Sequence, residues 1–246
     1  NFCNEWSINN NIKKKLKYEK ILLPDKISLS DKEMFTSINK FKKYMFKRHT
    51  VRDFSDREVD FDIIKKAIQI AGSAPSGANH QPWHFTAISN PDVKKQIRRA
   101  AEIEEEKFYS GGASDEWIKA LEPIGTNANK PHLEIAPWLI IIFAERFGIF
   151  DDGTKYKNYY VPESVGIATG FLITALHKVG LSVLTHTPNP MSFLNTLCER
   201  PKSNKPLMIL AIGHASDKAT VPKVAKIKKP IDKILTVCLL YTSDAA

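Results

Sequence analysis

Residues 162–178 form the stretch that most limits how this chain can fold. They read as a largely apolar helix stopped by Gly180, hydrophobic all the way round. Such a helix has no polar face to offer water, so it belongs at the centre of a structure rather than on its surface. Packing against its own copy in a dimer is the arrangement that covers every side. Around it the sequence alternates helix and strand signals. Ser30 and Glu33 make a capping box ahead of a helix to about Lys47, with Met34, Phe35, Ile38, Phe41 and Met45 on one stripe. A second helix is predicted from Asp60 to Ala71, with Gly72 as its stop. Pro91 opens a third, lasting to about Tyr109, and a short one covers Ser192–Glu199. Trp83–Ser89, Pro137–Ala144, Leu181–Thr187 and Leu207–Gly213 read as strands. Residues 110–132 are polar and irregular, long enough to be a lid. The pattern predicts an α+β fold, an α/β sandwich built as an intertwined homodimer around the central apolar helix.

The length of 246 residues suits one such domain with arms at its ends. A net charge of +9 invites a nucleic-acid reading, but its distribution does not support one. Residues 1–50 hold 12 Lys/Arg against 5 Asp/Glu, and residues 216–246 hold 6 against 3. The stretch between them keeps 18 basic and 19 acidic residues, so the folded core is near neutral. Residues 1–29 therefore read as a basic N-terminal arm, 30–215 as the folded domain and 216–237 as an arm reaching across a partner. Residues 238–246 continue no periodic pattern and are expected to be non-native sequence. Cys3, Cys198 and Cys238 have neither metal-ligand spacing nor a disulfide framework, which fits a reducing compartment and predicts no metal. The longest apolar run, Ala136–Ala144, is far too short to span a bilayer. The chain begins at Asn1, so a missing upstream targeting or anchoring segment is left open as an expectation.

Three short segments could carry chemistry. Arg48-His49-Thr50-Val51-Arg52 can act as a phosphate clamp, since guanidinium offers forked donors and Thr a short neutral one, or it can be a solvated turn. Ala74-Pro75-Ser76-Gly77-Ala78 has side chains small enough for a planar ligand to approach the main chain, although structural turns use the same residues. Thr185-His186-Thr187 ends a buried strand, where ligands sit in open α/β sheets, although threonine is also a common strand former.

The joint order of these segments, with Pro82-Trp83, Glu104–Tyr109, Thr126-Asn127 with Lys130, Ala136-Pro137, Thr185–Pro188 and Ala219–Pro222, resembles the nitroreductase superfamily of FMN enzymes, and within it the iodotyrosine deiodinase branch. The resemblance spans roughly residues 35–235. It implies FMN as cofactor, with Arg48, His49 and Thr50 at the phosphate end and Lys228 as the matching cation of the C-terminal arm. It places Pro75 and Ser76 along the flavin, and Thr185, His186 and Thr187 beside it. Thr187 is implied as the catalytic hydroxyl at flavin N5, a contact that favours one-electron steps. Ala78 through its backbone N–H, with Glu105, Tyr109 and Lys130, is implied to bind a halotyrosine. The chemistry of that set is sound on its own terms, since a zwitterion needs an anion for its ammonium and a cation for its carboxylate. Glu105 and Tyr109 are four residues apart on one helical face. A bland reading also exists, in which Glu104–Glu106 is a charged solvent face.

The implied activity is reductive dehalogenation of halotyrosine by a homodimer, with electrons ultimately from NAD(P)H, directly or through a reductase. A general nitro- or quinone reductase of the same fold and a non-catalytic flavin or halotyrosine carrier are the alternatives. Animal members of the family carry an N-terminal membrane anchor, which these residues do not include. Several positions depart from the family pattern. His49 stands in place of a second arginine, His186 interrupts a threonine run, Asn79-His80-Gln81 is unusual, and Lys226 or Lys229 competes with Lys228 for the phosphate.

Overall fold

The computed structural model describes residues 17–150 and 152–238. Its centre is a four-stranded sheet in the order β1-β2-β6-β5, from β1 (Trp83–Ile88), β2 (Trp138–Glu145), β5 (Ser182–His186) and β6 (Asn204–Gly213). Every neighbouring pair is antiparallel. β2 and β6 are the inner strands. Leu139 to Phe143 are fully buried, because both faces of β2 are covered by helices.

Alternation along β2 sorts the two faces. Ile140 and Ile142 pack with Ile64, Ala67 and Ala71 of α2 (Phe61–Gly72) and with Val165, Leu172 and Leu176 of α6 (Val161–Lys178). Leu139, Ile141 and Phe143 pack on the other face with Ile97 and Ala101 of α3 (Pro91–Lys107), Leu133 of α5 (His132–Ile135) and Leu194 of α7 (Phe193–Leu197). Each fully buried Ile or Leu contributes roughly 1.5–3 kcal/mol of burial free energy, so the two layers lock the sheet between them. The predicted α+β sandwich is the observed fold.

Local signals place the helices. Ser30 and Glu33 form the capping box of α1 (Asp31–Met45), with Ser30 N–H donating to Glu33 Oε2 at 2.8 Å. Asp60 caps α2, and Asn90 caps α3 with Pro91 in its first turn. The apolar stripe of α1 behaves differently from a core stripe. No residue of α1 is buried, and Phe35 and Ile38 lie open. α1 is tied down near its end, where the Tyr44 hydroxyl donates to the carbonyl of His177 and the two rings stack at 4.5 Å. α6 is half central: Val165, Ala168, Leu172 and Leu176 face the core, while Ile167 and Phe171 remain about 40% exposed at 42% and 40%.

The structure departs from the sequence reading in three places. Residues 110–132 are not irregular throughout. They hold α4 (Asp115–Leu121), capped by Ser114 and steadied by Trp117 edge-on to Phe108 at 5.1 Å. A seven-residue helix is below the length at which periodicity declares itself. A hairpin of β3 (Phe147–Ile149) and β4 (Lys155–Lys157) follows β2, its strands too short to show alternation. The sheet is antiparallel, so the end-of-strand rule for open α/β sheets does not explain why Thr185–Thr187 lies at a site. From the N-terminal arm, residues 17–29 are exposed and form no helix or strand; from the C-terminal arm, two short turns at Lys223–Lys226 and Ile231–Lys233 carry exposed Ile227, Ile231 and Ile234. The tail expected to be non-native lies outside the described residues except for Cys238. Among the described residues no helix is long and apolar enough to cross a membrane.

Candidate active site

The end of α3 and the segment before α5 meet over the end of β5. Glu105 sits in the last turns of α3, and Tyr109 follows in a wider π-type turn, Phe108–Gly112. Lys130 Nζ lies 3.0 Å from Glu105 Oε2 and donates to Thr126 Oγ1 at 3.1 Å. The two charged side chains are only 5% and 14% exposed, so their attraction is weakly screened. Lys130 Nζ also stands 5.8 Å from the centre of the Tyr109 ring. These three residues, with Thr185, His186 and Thr187, line one cavity of about 460 Å³.

Lys130 is held there by a staple. Its backbone N–H donates to Glu102 Oε1 at 2.7 Å. Arg98, one turn back on α3, binds Glu102 at 2.9 Å, Glu134 at 3.0 Å and Asn129 Oδ1 at 3.0 Å. One guanidinium thus fixes both ends of the 129–134 segment to the helix that carries Glu105. The glutamate run resolves the same way. Glu104 pairs with Lys107 at 2.9 Å, Glu106 is exposed, and Glu105 is the one paired with Lys130.

His186 turns to the same side. It is 8% exposed, with Nε2 3.8 Å from Glu105 Oε1 and its ring edge-on to His132 at 5.8 Å. Burial, then the Lys130 and His132 charges, depress its pKa to about 3. Burial, then Lys130 and Arg52, hold His132 at about 4. Both imidazoles are neutral at ordinary pH. Thr126 and His132 are residues around the clamp to which the sequence reading gave no role of their own. Thr126 lies inside a motif of the resemblance, and His132 stands two residues beyond Lys130, on a helix too short to show a period.

The segment implied for a phosphate borders a second cavity of about 380 Å³, lined by Lys47, Arg48 and His49 together with Gly180 to Val183. Thr50 pairs with Val183 in a parallel bridge, which sets the 48–52 segment beside β5. Three basic residues lining one cavity suit a phosphate dianion, and the exposed Thr185 and Thr187 suit a polar ring edge. The residues present therefore fit FMN.

Other predicted residues are not gathered by a single chain. Pro75, Ser76 and Ala78 line neither cavity. Their loop is nonetheless built for close approach: Ala78 has φ 51°, Ser76 Oγ accepts from Gln81 N–H at 2.9 Å, and Gly77 N–H donates to Ser164 Oγ at 3.2 Å. A Cβ on Gly77 would lie 2.5 Å from the Tyr159 carbonyl oxygen, so only glycine fits. Lys228 is exposed and donates to the Ala225 carbonyl at 2.7 Å, away from Arg48.

A helix-covered antiparallel sheet with this clamp at its edge defines a nitroreductase-type protein, and the model of the Nitroreductase family matches residues 45–214. The chain is 45% identical over 194 residues to an iodotyrosine deiodinase of Haliscomenobacter hydrossis, covering 79% of this chain and 87% of that one. It is 40% identical over 206 residues to the human iodotyrosine deiodinase 1, covering 83% and 71%. A crystal structure of oxidized iodotyrosine deiodinase bound to FMN and 3-iodo-L-tyrosine superposes with a TM-score of 0.64 at 29% identity, over 82% of this chain and 99% of that one. The chain belongs to the nitroreductase family, in its iodotyrosine deiodinase branch.

Proposed function

We propose that this protein is an FMN-dependent reductase that removes halogen from halotyrosines. The Glu105–Lys130 pair carries the reading, because it is a buried anion and cation side by side at a cavity mouth. Without ligand the two groups satisfy each other. An amino acid exchanges that pair for two, its ammonium at Glu105 and its carboxylate at Lys130. A nitroaromatic has no use for such a clamp. Tyr109 adds a hydroxyl, and α4 with Trp117 forms the outer wall that excludes water when the site fills.

Bound FMN supplies the electron chemistry: two electrons and a proton replace the carbon–halogen bond by carbon–hydrogen, and the halide leaves as an anion. The protein binds and orients. Arg48, His49 and Thr50 hold the phosphate, with Lys228 joining from the C-terminal arm. Pro75 and Ser76 lie along the ring system, the Ala78 backbone N–H holds the substrate phenolate, and Thr187 gives its hydroxyl to flavin N5, with Thr185 beside it. The electrons come ultimately from NAD(P)H.

The working unit is a homodimer. The open apolar faces of α1 and α6 and the exposed isoleucines of the C-terminal arm favour it, and a second copy is what would bring the 75–78 loop to the Thr187 cavity. Residues 30–215 are the FMN domain, with 1–29 and 216–237 as arms. Titrating FMN-loaded protein with 3-iodo-L-tyrosine should quench flavin fluorescence saturably. No saturation at millimolar ligand, alongside rapid turnover of nitroaromatics, would instead make it a general reductase.

A further inference from the structure

His186 stands out among the residues around the cavity. The family resemblance puts it with the cofactor, yet its ring turns to the clamp. Its flanking residues, Thr185 and Thr187, are exposed, while His186 is buried on the α3 side of β5. Its Nε2 is inaccessible and makes no hydrogen bond, which for a buried polar atom costs about 1–3 kcal/mol unless some state of the protein supplies a partner. Glu105 Oε1 stands 3.8 Å away, about 0.6 Å beyond hydrogen-bond reach.

The clamp's own chemistry provides that state. In the free protein Glu105 Oε2 is held by Lys130 at 3.0 Å. When a ligand carboxylate engages Lys130, Glu105 loses part of that hold and must stay in place for the ligand ammonium. A donor on the far side then steadies it, and His186 is the group in position. Building on the halotyrosine reading above, we propose that His186 is a positioning residue of the amino-acid clamp, donating from Nε2 to Glu105 Oε1 as Lys130 is taken up by the ligand carboxylate. The charged and titratable groups around it are Glu105 of α3, Lys130, and His132 of α5, with the charge of Arg52 also acting on His132. Burial, ahead of the Lys130 charge, keeps the ring neutral in the ligand-free protein, so it enters the clamp as a neutral imidazole.

The test uses FMN-loaded protein and two probes, 3-iodo-L-tyrosine and 2-iodophenol, which shares the ring but lacks the amino-acid group. His186→Leu should weaken iodotyrosine binding about tenfold, equivalent to ~1.4 kcal/mol, and leave iodophenol binding and FMN content unchanged. His186→Gln, which keeps a donor, should recover most of the loss. In a Glu105→Ala background, which removes the acceptor, the His186→Leu effect should shrink toward nothing. Equal losses for both probes, or no recovery by Gln, would show that the ring acts by packing and overturn the role. A wild-type protein that holds FMN but shows no such preference would bring down the clamp reading itself, a separate failure from loss of preference in the variants alone.

Discussion

Lys130→Met tests the clamp through folding alone, with no ligand present. The pair it breaks is 3.0 Å apart, with side chains 5% and 14% exposed, so Glu105 would be left charged in a weakly hydrated site. Removing one partner of a buried pair costs about 3–5 kcal/mol. Glu105 also borders an open cavity into which water can relax, which argues for the lower end, about 3 kcal/mol. For a chain of this size each kcal/mol moves the melting temperature by about 2–4 °C, so the variant should melt roughly 6–12 °C lower by circular dichroism. The double variant Glu105→Met/Lys130→Met removes both charges and leaves two flexible apolar side chains of suitable volume. It should return to within about 1 kcal/mol of the parent, because the cost lies in the orphaned charge and not in the missing pair. A Lys130→Met protein that melts like the parent, or a double variant as unstable as the single, refutes the view that these groups are desolvated partners. Both variants should lose iodotyrosine binding, so stability and function separate cleanly in the double.

Three further outcomes follow from the same site. The native pKa values of His132, about 4, and His186, about 3, lie below the ordinary histidine value, so their stabilising contribution is complete above about pH 6.5 and is lost as pH falls toward 4. With up to two protons taken up on unfolding, stability should drop by about 2–3 kcal/mol per pH unit near pH 5 in urea titrations, and a His132→Asn/His186→Asn protein that keeps the same slope would refute the assignment. Arg48→Met should weaken FMN binding about 10- to 100-fold, the cost of one charge-assisted contact to phosphate, while leaving the melting point of the flavin-free protein within about 2 °C, as equilibrium dialysis and calorimetry can check. Thr187→Ala changes an exposed residue, so stability should move by less than about 0.5 kcal/mol. Its halotyrosine turnover should nevertheless fall well over tenfold while FMN stays bound, and an unchanged rate would remove Thr187 from the chemistry.

What the sequence made legible, and what it hid, divides along a physical line. Signals local to one element survived: the Ser30–Glu33 box, the Asp60 and Asn90 caps, the apolar run of β2 and the stop after α6 are all decided within a few residues. Elements too short to show a period did not. α4 exists because Ser114 caps it and Trp117 meets Phe108 across a turn, and the β3–β4 hairpin is only three residues deep. The candidate site falls on both sides of that line. Glu105 and Tyr109 stand four residues apart in the chain, although α3 ends at Lys107 and Tyr109 falls in the π-type turn that follows. Lys130 arrives from the next segment, and only the Arg98 staple, which no periodicity encodes, brings it to 3.0 Å from Glu105. The direction in which the His186 ring points was hidden for a related reason. A resemblance carries a position and its neighbours in the chain, whereas the face on which a strand residue points is fixed by the sheet's alternation, which here sets His186 opposite to Thr185 and Thr187. The same alternation therefore separates two jobs within three consecutive residues, hydroxyls toward one ligand and a neutral imidazole toward the carboxylate that grips the other.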